Sequence, residues 1–117
     1  MAASDARAVR PVCVENAAIG ELLQALSAGD ATAAGLVQAY VARIAAYDRA
    51  GARLNAVREM NPDAPAIAAQ SDAREPATRR PLEGIPILIK DNIATADPEL
   101  DPPGGTIGTP LSSSSGA

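Results

Sequence analysis

Apolar side chains recur along this sequence at helical spacing in two stretches and as an unbroken run in a third, and each pattern predicts its own element. Ile19, Leu22, Leu23 and Leu26 fall at i, i+3, i+4 and i+7, one face of a helix, and Gly29 follows where a left-handed C-terminal cap would sit. The first helix is predicted over about 17–28. Thr32 is placed to cap the next element through its hydroxyl. Beyond it, Leu36, Val37, Tyr40, Val41, Ile44 and Tyr47 form a stripe at intervals of three and four, with Gln38, Arg43 and Asp48 off the stripe. That predicts a second helix over about 33–49, ended by Gly51, with both tyrosine rings packed and their hydroxyls at the rim.

The helical period then breaks. Residues 54–60, "LNAVREM", are compatible with a short strand, and the segment from 61 to 75 restarts a helix with Asn61 as cap and Pro62 at the first position, which its fixed φ suits. Pro76 closes that segment and "RRPLEG" turns the chain into 85–92. There an apolar run from Ile85 to Ile89, with Pro86 inside it, predicts a strand covered on both faces. The fold class expected is α/β, in three parts: a flexible leader at 1–16, an ordered part at 17–97 and a tail at 98–117. The tail's four Pro, four Gly and four Ser bury too little to offset the entropy of ordering, so disorder is expected there.

Composition limits what this scaffold can do. A length of 117 residues suits one domain, but 27 of the hydrophobic residues are alanine and there is no Phe or Trp, which predicts a thin core and marginal stability alone. The net charge of -4, with no cluster of basic residues, argues against nucleic acid or an anionic membrane as partner. No stretch has the length and apolarity of a membrane span or a secretory signal, so the cytoplasm is the expected location. Cys13, the single cysteine, reads as a bystander. The absence of histidine removes His-ligated zinc, imidazole acid-base chemistry and the Ser/His/Asp arrangement, which leaves Lys, a carboxylate or Tyr as any base.

The candidate is Lys90, because it ends a strand that is otherwise wholly apolar. One reading is that its stem lies along apolar surface and carries the ammonium to water. The other is desolvation: excluding water disfavours the charged form and brings the pKa down from about 10.4 toward neutrality, leaving an amine that can accept a proton. Asp91 and Asn92 either turn the chain out of the strand or hold that amine by hydrogen bonds.

The stretch "PLEGIPILIKDNI" at 81–93 resembles the amidase signature family, whose members carry Pro-Leu-x-Gly-Ile-Pro leading through apolar residues into Lys-Asp-Asn. The upstream segments "IGELLQALSAGDATAAGLVQAYVARIAAYDRAGARLNAV" and "NPDA" look like that family's N-terminal helices and first strand, so the resemblance covers about residues 17–97. It implies a Ser, cis-Ser, Lys triad in which Lys90 is the base. The substrate it implies is a small-molecule amide in the full-length enzyme, hydrolysed through an acyl-enzyme with no metal and no cofactor.

Three departures qualify this. Glu83 stands where relatives often have His, "PELDPPGG" replaces the family's small-residue run after the Asp-Asn strand, and the family's two serine loops belong well downstream of the lysine. Ser112 to Ser115 read as a linker-like tail, and "GGTIGT" lacks the lysine of a phosphate loop. The expectation is therefore the N-terminal piece of an amidase, from a truncated or frame-shifted gene, inactive alone and prone to self-association through its exposed strand edge. The alternative is a small non-catalytic α/β interaction module.

Overall fold

A computed structural model of the chain describes residues 12–90 and Ile93, and the regular structure in it is helical. Helix α1 spans Ile19–Ala28, α2 Ala33–Arg43 and α3 Ala64–Ala73; a π-turn, Ile44–Arg49, continues α2, and a 3₁₀ turn, Pro76–Thr78, follows α3. The ends are closed largely by local chemistry. The Ala18 N–H donates to Glu21 Oε2 at 2.8 Å before α1, and Gly29 adopts φ 77° after it, with its N–H directed to the carbonyls of Ala25 and Leu26. Thr32 Oγ1 accepts the Gly35 N–H at 3.0 Å, the cap expected of it.

One closure is not local. Asp72, near the end of α3, accepts the Ala33 N–H on Oδ1 at 2.7 Å and the Ala34 N–H on Oδ2 at 3.1 Å. A carboxylate there satisfies two donors that α2 cannot satisfy itself and faces the positive end of its dipole. The bond joins α3 to α2 across 38 to 39 residues. Around it lies the buried apolar core: Leu22 from α1, Ala33 and Leu36 from α2, and Ala68 from α3. Two leucines, at roughly 1.5–3 kcal/mol each, supply most of that burial. The core is as thin as the alanine-rich composition predicts.

The second helix does not run unbroken to 49. From Ile44 the hydrogen bonding passes to i→i+5, which rotates the faces of the last turn. Tyr47, on the predicted stripe, is 52% exposed, and Asp48, off it, is 4% exposed. Asp48 then organises the next segment. Its Oδ1 accepts from the Ala56 N–H at 2.6 Å and the Val57 N–H at 3.3 Å, while the N–H groups of Leu54 and Asn55 donate to the carbonyls of Tyr47 and Asp48 at 3.2 Å. These donors return to the helix end instead of a neighbouring strand, and Arg53 and Asn55 take φ values of 49° and 50°. For both reasons the strand expected at 54–60 does not form.

The third helix also starts later than predicted. Asn61 Oδ1 accepts the Asp63 N–H at 2.8 Å and the Asn61 carbonyl accepts the Ala64 N–H at 3.2 Å, a turn that consumes 61–63. Pro62 therefore lies before the helix, while Pro65 lies in its first turn.

The described residues contain no strand, so the α/β expectation is not met among them. Residues 85–90 have no extended neighbour to exchange N–H and C=O groups with, and the three helices present side chains instead of backbone. Of the other predicted parts, 1–11 of the leader, Asp91 and Asn92, and the whole 98–117 tail lie outside the described residues. No described helix is long and apolar enough to cross a membrane.

Candidate functional site

Lys90 is the single lysine of the chain, and its position is set by the turn before it. Glu83 N–H donates to the Arg80 carbonyl at 3.1 Å and Ile85 N–H to the Leu82 carbonyl at 3.2 Å, two overlapping turns that reverse the backbone. The Glu83 carboxylate lies inside this reversal. Oε2 accepts the Arg80 N–H at 3.0 Å; Oε1 accepts from Ser71 Oγ at 3.4 Å and pairs with Arg74 Nε at 3.3 Å. The Arg80 N–H, with further pull from the Arg74 and Arg80 guanidinium groups and the Ser71 hydroxyl, holds the Glu83 carboxyl below its ordinary 4.5. Partial burial opposes that shift without reversing it.

Gly84 follows at φ 91°, a backbone setting that favours glycine. A Cβ there would lie 3.2 Å from Leu26 Cδ1 of α1 and 3.3 Å from Ala33 Cβ of α2, with Ser71 Oγ of α3 at 3.8 Å. All three helices meet the backbone at this residue. Past it the chain emerges: Ile85 and Pro86 are half-buried, while Ile87 at 73%, Leu88 at 78%, Ile89 at 47% and Lys90 are exposed. This segment forms one wall of an open groove whose other wall includes Val37, Tyr40, Ile44 and Ile67.

Tyr40 presents its ring to that groove while its hydroxyl donates to the Val14 carbonyl at 3.4 Å, the packed ring and bonded rim that the stripe predicts. Tyr47 differs: the Arg43 guanidinium stands 5.2 Å from its ring centroid at the surface. Lys90 differs too, since the water exclusion expected around its amine is not supplied by the described residues. The geometry offers an exposed amine at the end of an apolar segment, anchored six residues earlier.

Sequence reasoning found Lys90 but not the groups that hold its segment. Glu83 stands out in the sequence only as a departure from a family pattern and Asp48 only as a residue off the second helix's stripe, and nothing there singles out Asp72. Apart from the Arg80 N–H three residues before Glu83, their hydrogen-bond partners lie 8 to 39 positions away, and no local spacing encodes such pairs.

Comparison with known proteins gives consistent results. The sequence model of the family described as Amidase matches residues 35–100. A Schizosaccharomyces pombe protein, described by inference as an amidase, is 33% identical over 88 residues, covering 74% of this chain and 15% of its own length. A glutamyl-tRNA(Gln) amidotransferase subunit of Rhizobium johnstonii is 46% identical over 79 residues, 66% of this chain and 15% of that protein. Among solved structures, the native peptide amidase of Stenotrophomonas maltophilia superposes with a TM-score of 0.65 at 46% identity, covering 69% of this chain and 17% of that one. The chain thus spans less than a fifth of the length of these relatives.

Proposed function

The chain belongs to the amidase family, and from that premise we propose that Lys90 is the general base of an amide hydrolase of which this chain forms the N-terminal part. The observation that carries the reading is that the family match extends through "PLEGIPILIK" to include Lys90, the chain's single lysine. In the complete enzyme a neutral Lys90 amine takes a proton from a serine held by a cis peptide, and that serine takes one from the nucleophilic serine. The nucleophile adds to the amide carbonyl, the protonated amine or ammonia leaves, and water releases the acid from the acyl-enzyme. No cofactor or metal takes part. The two serines come from sequence beyond the matched segment, so this chain alone is inactive.

The exposure of Ile87, Leu88 and Ile89 supports a structural corollary. In the complete protein 85–92 becomes a strand of an α/β sheet, and the chain that pairs with it also excludes water from the amine. Without that cover the row is an apolar edge, which favours self-association. The location is the cytoplasm, and the substrate class is a linear carboxylic amide.

Mixing the chain with the separately produced remainder of an amidase and assaying a simple amide tests this. Activity that appears on mixing and vanishes with Lys90→Ala supports it; activity indifferent to that substitution overturns it. The same exposed row favours a second reading, a non-catalytic module that docks on a partner protein. Tight partner binding unchanged by Lys90→Ala, with no activity on mixing, selects that reading.

A further inference from the structure

Between the helices and Lys90 there is one place where the chain is held from three sides, and it lies at Glu83 and Gly84. Gly84 is in contact range of side chains from α1, α2 and α3. Glu83 joins the turn to α3 through Ser71 Oγ at 3.4 Å and pairs with Arg74 Nε at 3.3 Å, just past the end of that helix. Consecutive residues of α3 reach in two directions, since Ser71 bonds the turn while Asp72 bonds the start of α2 at 2.7 and 3.1 Å. A displacement of α3 relative to α2 would therefore be felt at the turn. Arg79 ties the chain entering the turn to the same place, its Nη2 donating to the Asp72 carbonyl at 3.0 Å.

We propose that Glu83 is a positioning residue: its carboxylate clamps the turn to α3 so that the helical base sets the direction in which the Lys90 segment leaves. The catalytic meaning of this rests on Lys90 being the base; the mechanical claim does not. The leverage is large. Lys90 stands six residues past Gly84, up to roughly 20 Å away in an extended chain, so a rotation of about 10° at the turn carries it roughly 3 Å. Misplacing a reacting group by about 1 Å can cost a factor of about 10² in rate. A carboxylate bonded at both oxygens restrains that rotation better than the turn's backbone bonds alone, because its partners belong to the helical base as well as to the turn.

The test measures direction, not turnover. With Cys13, the only cysteine, replaced by Ser, spin labels at the exposed Gln38→Cys on α2 and at Ile89→Cys report the distance from the base to the segment while leaving Lys90 in place. The parent chain is expected to give one narrow distance distribution, broadened at least twofold by Glu83→Ala and less by Glu83→Gln, which keeps an acceptor for the Arg80 N–H. Ser71→Ala, which leaves the ion pair with Arg74, gives an intermediate width. Helical circular dichroism stays the same throughout. A broad distribution in the parent, or an unchanged width in Glu83→Ala, overturns the proposal, as does broadening that appears only with loss of helix. The mixing assay with Lys90→Ala addresses the chemistry separately, so either idea can fail while the other stands.

Discussion

The helical base and the segment that carries Lys90 are built from the same kinds of apolar residue and end in opposite states. In the base, Leu22 and Leu36 are 3% and 2% exposed; in the segment, Ile87 and Leu88 are 73% and 78% exposed. Helices satisfy their own backbone and need a neighbour only for one face; α2 and α3 pack on each other, and α1 buries Leu22. An apolar strand needs partners for its backbone and for both faces, and the described residues supply neither. Hydrophobicity alone therefore does not decide burial; the availability of complementary backbone does.

The sharpest challenge to this contrast is functional. If the exposed segment is the working part, Lys90→Ala in the reconstituted amidase lowers kcat by about 10² to 10⁴, the range for a positioned acid-base group, read in single-turnover hydrolysis of a simple amide. Next in size is the energetic contrast. Leu36→Ala is expected to cost about 2–5 kcal/mol in urea unfolding of the chain, whereas Leu88→Ala changes the unfolding free energy by no more than about 0.5 kcal/mol. Equal costs would mean that the segment is buried in solution.

Gly84 stands at the boundary between the two regions. Gly84→Ala forces a Cβ to within 3.2 Å of Leu26 and 3.3 Å of Ala33 at φ 91°, and an expected loss of about 1–3 kcal/mol would appear as a lowered thermal midpoint. Asp72→Ala removes the carboxylate from the start of α2 at a cost of about 1 kcal/mol, measurable as a small drop in the same midpoint. The smallest effect is on pH. Glu83 has its folded-state pKa lowered, so its contribution is present above 4.5 and is lost as pH falls through the lower folded-state value. The gap in unfolding midpoint between the parent and Glu83→Gln should therefore be wider at neutral pH than at pH values below 4.5; a constant gap would mean that the clamp carries no charge-dependent stability.

The features legible in the amino-acid sequence are those governed by short-range rules. The Gly29 cap and the Thr32 cap each depend on residues within a turn of one another and form as predicted; of the predicted α1 face Leu22 is buried, while Ile19 is 53% exposed. The family relationship is legible too, from "PLEGIPILIKDNI", and residues 35–100 match it. The structure departs from the local pattern where a side chain redirects the backbone. Asp48 took the N–H groups of Ala56 and Val57 that a strand would have shared, and Asn61 formed a turn where a cap was expected.

Residue order alone thus sets the helical periods, the helix-capping residues, the thin alanine-rich core and the identity of the one lysine, because each follows from composition or from neighbours a turn away. Packing in three dimensions was needed to settle that Asp72 closes α2, that Gly84 lies against all three helices, and that Glu83 joins the lysine's turn to α3. Those contacts link residues far apart along the chain, and their pairing is set by how the helices pack, a property that no local pattern contains.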